Sequence, residues 1–140
     1  MDKVSGLIHS VVVTAANVYD FTPAAVLLYG YEEVVYGDAG YQGIVKRPEM
    51  AGKTTEFTMA MRPGKRRGLS DIPEGRLQDL FETAKAHIHS MVEHPFRVIK
   101  QQFCFQKTLL CCLAKSRCKI NVLAALTNLF LVRRQLLATG

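Results

Sequence analysis

The sequence predicts an α/β domain with its strands early and its helices late. Three observations point there. Residues 6–14, 32–38 and 56–61 are β-branched or alternate in polarity, as half-buried strands do. From Arg76 onward the apolar residues recur at spacings of three and four, the period of a helix. The chain of 140 residues is 49% hydrophobic, which suits one domain with a core over residues 1–140 and excludes wholesale disorder.

In order, residues 6–14 (GLIHSVVVT) form a strand buried on at least one face, followed by a turn through residues 15–20. Thr22 before Pro23 reads as an N-cap with proline at the first helical position, so residues 23–29 are expected to be a short helix ended by Gly30. Residues 32–38 (EEVVYGD) make a second strand with Val34, Tyr36 and Asp38 on one face and Val35 on the other. Asp38 closes that strand just before Ala39-Gly40-Tyr41-Gln42-Gly43. A carboxylate beside glycines that let a ligand approach the backbone suits a metal or phosphate; an ordinary turn aspartate is the alternative.

Residues 46–53 read as loop and residues 56–61 as a third strand. A basic loop follows, in which Arg62, Lys65, Arg66 and Arg67 either grip phosphates or form a solvated turn. The helical stretch then places Leu77, Leu80, Phe81 and Ala84 on one face, continued by Ile88, Val92, Phe96, Ile99 and Phe103. It is one long helix or two, because Pro95 should kink it or mark a restart. On its polar side His89, Glu93, Arg97 and Lys100 share a stripe, which is either functional or an exposed ion-pair ladder. Residues 119–137 make a last apolar helix with Arg133 and Arg134 near its end, where cations suit the helix dipole.

Eighteen Lys and Arg against 12 Asp and Glu give a net charge of +6, which favours a polyanion such as nucleic acid. Cys104, Cys111, Cys112 and Cys118 form no CxxC pair, and no nearby histidine completes a zinc pattern, so reduced thiols in a cytoplasm are expected. Met1-Asp2-Lys3 leads into an alternating segment, unlike a signal peptide. Residues 120–132 are interrupted by Asn121, Thr127 and Asn128 and fall short of the ~18 apolar residues of a membrane span. A core helix and no membrane partner are expected.

Three ordered segments, residues 6–20 (GLIHSVVVTAANVYD), 35–47 (VYGDAGYQGIVKR) and 92–103 (VEHPFRVIKQQF), resemble the transposases of the insertion-sequence-five family. Residues 60–66 also look like that family's basic strand-to-loop segment, and residues 126–137 like its closing helix. The resemblance implies an RNase H-like fold, a mixed sheet with flanking helices, in the bacterial cytoplasm and associated with the nucleoid. It implies a DDE enzyme that cuts and joins DNA at insertion-sequence ends, in which Asp38 is the second aspartate and Glu93 the glutamate of a trio holding Mg2+. Lys100 matches a lysine that contacts a phosphate or a DNA end. With Arg62, Lys65, Arg66, Arg67, His89 and Arg97 it makes up the implied DNA-binding set. Two hard-ligand metal ions can activate the attacking oxygen and stabilise the leaving one, which is why phosphodiester transfer uses carboxylates.

The first aspartate of the family has no counterpart here, and Asp2 does not replace it. The reading is therefore of a carboxy-terminal part whose first strands are missing and which is not expected to catalyse strand transfer alone. Its alternative is a non-catalytic DNA-binding remnant that interacts with other transposase chains. The segment at residues 6–14 should then show an unpaired edge. His89 stands where the family often has arginine, and Leu109-Leu110-Cys111-Cys112 where it tends to have arginine and tyrosine.

Overall fold

The computed structural model of the chain describes residues 1–19, 22–50, 52, 54–107, 109 and 112–139. Asp20 of the expected turn, Lys53 of the expected loop, and Leu110 and Cys111 lie outside the described residues. The elements run α1 (Ala24–Leu27), β1 (Val34–Gly37), β2 (Glu56–Met59), α2 (Pro63–Arg67), α3 (Pro73–Gln101) and α4 (Leu113–Thr139), with 3-10 turns at Ala39–Tyr41, Ile44–Lys46 and Pro48–Met50. The chain divides into two compact units: Asp20–Ser90, and Met1–Tyr19 with Met91–Gly140.

In the unit Asp20–Ser90, β1 and β2 pair in parallel with Val34 opposite Glu56 and Gly37 opposite Met59. Their connection carries the three 3-10 turns rather than a crossover α-helix, and buries Ile44 and Met50. Gly43, at φ 93°, opens the second of those turns, a left-handed conformation that glycine adopts at little cost. The short helix predicted over residues 23–29 forms only as α1, with Pro23 rather than Thr22 in the capping position and no side-chain cap. Its exit is held instead by Glu32, which accepts from the N–H groups of Tyr29 and Gly30, each at 2.8 Å. The expected basic loop is the helical turn α2, with Pro63 at its start, where a proline lacks only an N–H that had no partner anyway.

The α3 helix starts at Pro73, earlier than the predicted Arg76, and the division between the units falls within it after Ser90. Its first half reverses the expected facing: Leu77, Leu80 and Phe81 are 55%, 66% and 60% exposed, whereas Gly75 and Glu82 are buried. The less exposed stripe is Gly75, Asp79, Glu82, Lys85 and His89, at spacings of four and three. Gly75 belongs there because a Cβ would lie 2.0 Å from the Ser70 carbonyl oxygen. Contacts of Glu82 and Lys85 with the end of β2, and of Asp79 with Arg66, have overridden the apolar periodicity.

In the unit of Met1–Tyr19 and Met91–Gly140, the core is Val98, Ile99, Leu123 and Ala124, with Pro95 and Thr127 fully buried. Pro95 neither breaks nor restarts α3, which is continuous from Pro73 to Gln101. Its lost backbone hydrogen bond is offset by burial of the ring. The predicted face Val92, Phe96, Ile99, Phe103 is shifted, since Phe96 is 55% exposed and Val98 is buried. The ring of Phe103 meets that of Phe130 edge-on at 6.5 Å.

The last helix begins at Leu113 rather than residue 119, and runs to Thr139. Arg133 and Arg134 therefore lie short of its final turn, and Arg133 covers the ring of Phe130 at 3.8 Å. Only a narrow stripe, Ser116, Leu123, Ala124 and Thr127, is buried. By length and composition α4 passes as a membrane span, a test that core helices also pass.

Residues 6–14 form no strand. The side-chain amide of Asn128 on α4 takes both backbone groups of Ile8: the Ile8 N–H donates to Asn128 Oδ1 and Asn128 Nδ2 donates to the Ile8 carbonyl, each at 2.9 Å. Among the described residues the only sheet is thus the parallel pair, an α/β arrangement smaller than the mixed sheet expected.

Candidate functional site

Parallel pairing brings the carboxyl ends of β1 and β2 to the same edge, because Gly37 stands opposite Met59 and Ala60 N–H donates to the Gly37 carbonyl at 2.9 Å. In α/β sheets that edge is where ligands collect. Asp38 emerges there, exposed, and caps the following 3-10 turn by accepting from Ala39 N–H at 2.6 Å. Gln42 at the end of that turn donates to the Ala60 carbonyl at 2.9 Å. The turn carrying Asp38 is thereby tied to the exit of β2.

A cleft of about 220 Å³ opens at this edge, lined by Asp38, Ala60, Met61, Arg66, Glu82, Ala86 and His89. Three of the residues read from the sequence, Asp38, Arg66 and His89, come together in it. Glu82 was missed. It is 5% exposed, accepts from Met61 N–H at 2.7 Å and pairs with Lys85 Nζ at 2.7 Å. Lys85 also donates to the Met59 carbonyl at 3.1 Å, so the pair fastens the end of β2 to α3. Burial pushes the Glu82 carboxyl up, but the Lys85 ammonium, the Met61 N–H and the Arg66 charge outweigh it, and the net shift is downward. The signal that could have found it is the stripe Asp79, Glu82, Ala86, His89, which has the spacing of a second helix face.

The four cations of the basic segment divide. Arg66 is committed, with Nε donating to Asp79 Oδ1 at 2.6 Å and a terminal nitrogen donating to Thr83 Oγ1 at 2.8 Å. That hydrogen bond holds the Asp79 carboxyl below its ordinary range. Arg62, Lys65 and Arg67 are exposed and hold no partner among the described residues.

Glu93, Arg97 and Lys100 lie on α3 in the other unit, all exposed. Arg97 Nε donates to Gln101 Oε1 at 3.2 Å, so the ion-pair ladder read from the spacing is at least partly a contact with a neutral amide.

A hard divalent cation takes about six oxygen ligands, some of them water. Among the described residues no group of three or more His, Cys, Asp or Glu side chains stands together to hold one. Within the cleft Asp38 has carboxylate capacity to spare, whereas Glu82 is already satisfied by Met61 and Lys85. The described residues of this unit do not by themselves bring three such ligands together.

Of the four cysteines, Cys104, Cys112 and Cys118 are free and exposed. No solved structure matches the chain. A family model for the transposase DDE domain, however, matches residues 1–129. That match takes in the β1–β2 edge with Asp38, all of α3 and most of α4, and the chain belongs to the transposase DDE domain family.

Proposed function

We propose that residues 1–140 are the carboxy-terminal part of the catalytic domain of an insertion-sequence-five type transposase, RNase H-like in design, acting on DNA. The observation that carries this reading is the family match over residues 1–129, with Asp38 standing in a cleft at the carboxyl end of a parallel strand. Asp38 and Glu93 are, on this reading, two of the three carboxylates that serve Mg2+ in a complete centre. The third is absent from these residues, and no cleavage is assigned to the chain by itself. Its own contribution is to bind DNA: Arg62, Lys65 and Arg67 of the α2 turn meet phosphates, as do Arg97 and Lys100, while Arg66 braces the cleft through Asp79.

Each phosphate neutralised contributes roughly 0.9 to the slope of log affinity against log salt. Fluorescence anisotropy with a labelled duplex should therefore show steep salt dependence, and replacing Arg62, Lys65 and Arg67 together by alanine should lower the slope by about 2 to 3. Equal binding at low and high salt, or none at low salt, refutes the DNA reading. Magnesium-dependent cleavage by the chain alone that is lost in Asp38→Ala refutes the assignment of an incomplete centre.

A further inference from the structure

Segment 6–14 is tied to α4 at Ile8. Ile8 gives both backbone groups to Asn128, which is the pattern of bonds a neighbouring strand would make. Further on, Val11, Val12, Val13 and Thr14 make no backbone hydrogen bond among the described residues. Their side chains alternate half-buried, exposed, half-buried, exposed, the alternation of a strand. In an extended chain, successive residues direct their N–H and C=O groups to opposite edges. The edge facing Asn128 is therefore that of Ile8 and Val12, and the far edge offers two donors and two acceptors from Val11 and Val13.

Strand edges in soluble proteins are commonly protected by lysine, other charges or proline. Here residues 4–19 contain no Lys, Arg, Asp, Glu or Pro, although the chain as a whole carries a charge of +6. Two copies of this segment can approach without like-charge repulsion, whereas a charged peptide finds no counter-charge on it. The β-branched run Val11-Val12-Val13-Thr14 is also its own complement in a pleated pair.

We propose that residues 11–14 are a β-pairing edge occupied by the same segment of a second copy of this chain, antiparallel about a two-fold axis through Val12. The register follows from the groups. A two-fold axis makes each contact reciprocal, so Val11 of one copy faces Val13 of the other and each such pair exchanges two main-chain hydrogen bonds. Between them the two Val12 residues oppose each other without hydrogen bonds, at the closest Cα spacing of an antiparallel ladder, about 4.5 Å. Side chains on such a pair are close enough for a disulfide. This inference does not depend on Asp38, on a metal or on DNA binding.

The test is a set of single-cysteine chains, Val11→Cys, Val12→Cys and Val13→Cys, each in a background with the native cysteines replaced by serine. Mild oxidation should give a covalent dimer from the Val12 chain and severalfold less from the other two. Equal cross-linking at all three positions, or none, overturns the proposal. Because the serine background itself can perturb folding, the unaltered chain provides a second measurement. As concentration rises, sedimentation should show a dimer, and amide exchange should slow at Val11 and Val13 but not at Val12. Val12→Lys, which sets like charges face to face, should raise the dimer dissociation constant about tenfold. A monomer at all concentrations, or unchanged exchange at Val11 and Val13, overturns the proposal.

Discussion

Replacing Glu82 by alanine removes the acceptor that Met61 N–H has among the described residues and the carboxylate partner of Lys85. A buried N–H left without an acceptor costs about 1–3 kcal/mol, and breaking a buried ion pair by deleting one partner costs about 3–5 kcal/mol. The Lys85 side chain is 25% exposed and keeps the Met59 carbonyl at 3.1 Å, so water and that carbonyl relieve part of the loss. The lower end applies, about 3 kcal/mol for Glu82→Ala. Glu82→Gln keeps an acceptor for Met61 and nearly the same volume, and should cost about 1 kcal/mol.

Urea unfolding of the single variants and of the pair with Lys85→Met closes a double-mutant cycle, with an expected coupling of about 1–2 kcal/mol. Coupling within the ~0.3–0.5 kcal/mol of independent sites would sink the claim that Glu82 and Lys85 act as one pair where α3 meets the end of β2. The acid limb offers a second check. The folded-state pKa of Glu82 is lowered, so its contribution is complete above the ordinary glutamate value of about 4.3. It fades as pH falls through the lowered value. Glu82→Gln should remove that part of the acid dependence.

Two further outcomes follow from local geometry. A Cβ on Gly75 would lie 2.0 Å from the Ser70 carbonyl oxygen, a backbone atom; Gly75→Ala should therefore destabilise by about 1–3 kcal/mol despite alanine's better helix propensity, and an increase in melting temperature would contradict this packing. Backbone N–H groups of Lys115 and Ala114 at the start of α4 draw the Cys112 thiol below its ordinary pKa. With Cys112 as the sole cysteine, the iodoacetamide rate should reach half its plateau below the ordinary thiol value of about 8.5, and a midpoint above that value counts against the contact.

What the sequence disclosed depended on whether the deciding interaction was local. The strands around Val35 and Phe57 and the long helices announce themselves through period, and their existence was legible. The facing of α3 was not, because Leu77, Leu80 and Phe81 carry the apolar signal while Glu82, Lys85 and Asp79 carry the contacts to β2 and α2. A charged stripe facing inward looks, in one dimension, like a solvated one. Segment 6–14 failed as a strand for a related reason: propensity was sufficient, but pairing requires a neighbour, and Asn128 stands in for one at a single residue. In the candidate site, Asp38 was visible from its strand end and its motif. The division of labour between Arg66 and its three basic neighbours was not, since it turns on a carboxylate 13 residues away.

The Ile8–Asn128 clamp joins positions 120 residues apart, and its order of assembly matters to a chain made from one end. At ~5–20 residues per second, Ile8 leaves the ribosome roughly 6–24 s before the amide that will hold it exists. For most of that interval, until Met91 is made, the valine-rich segment has no later part of its unit to lean on. Neighbouring nascent chains on the same messenger carry the same segment in the same condition. Synthesis speed and polysome spacing thus join sequence in deciding whether this edge is first met by its own helix or by another copy.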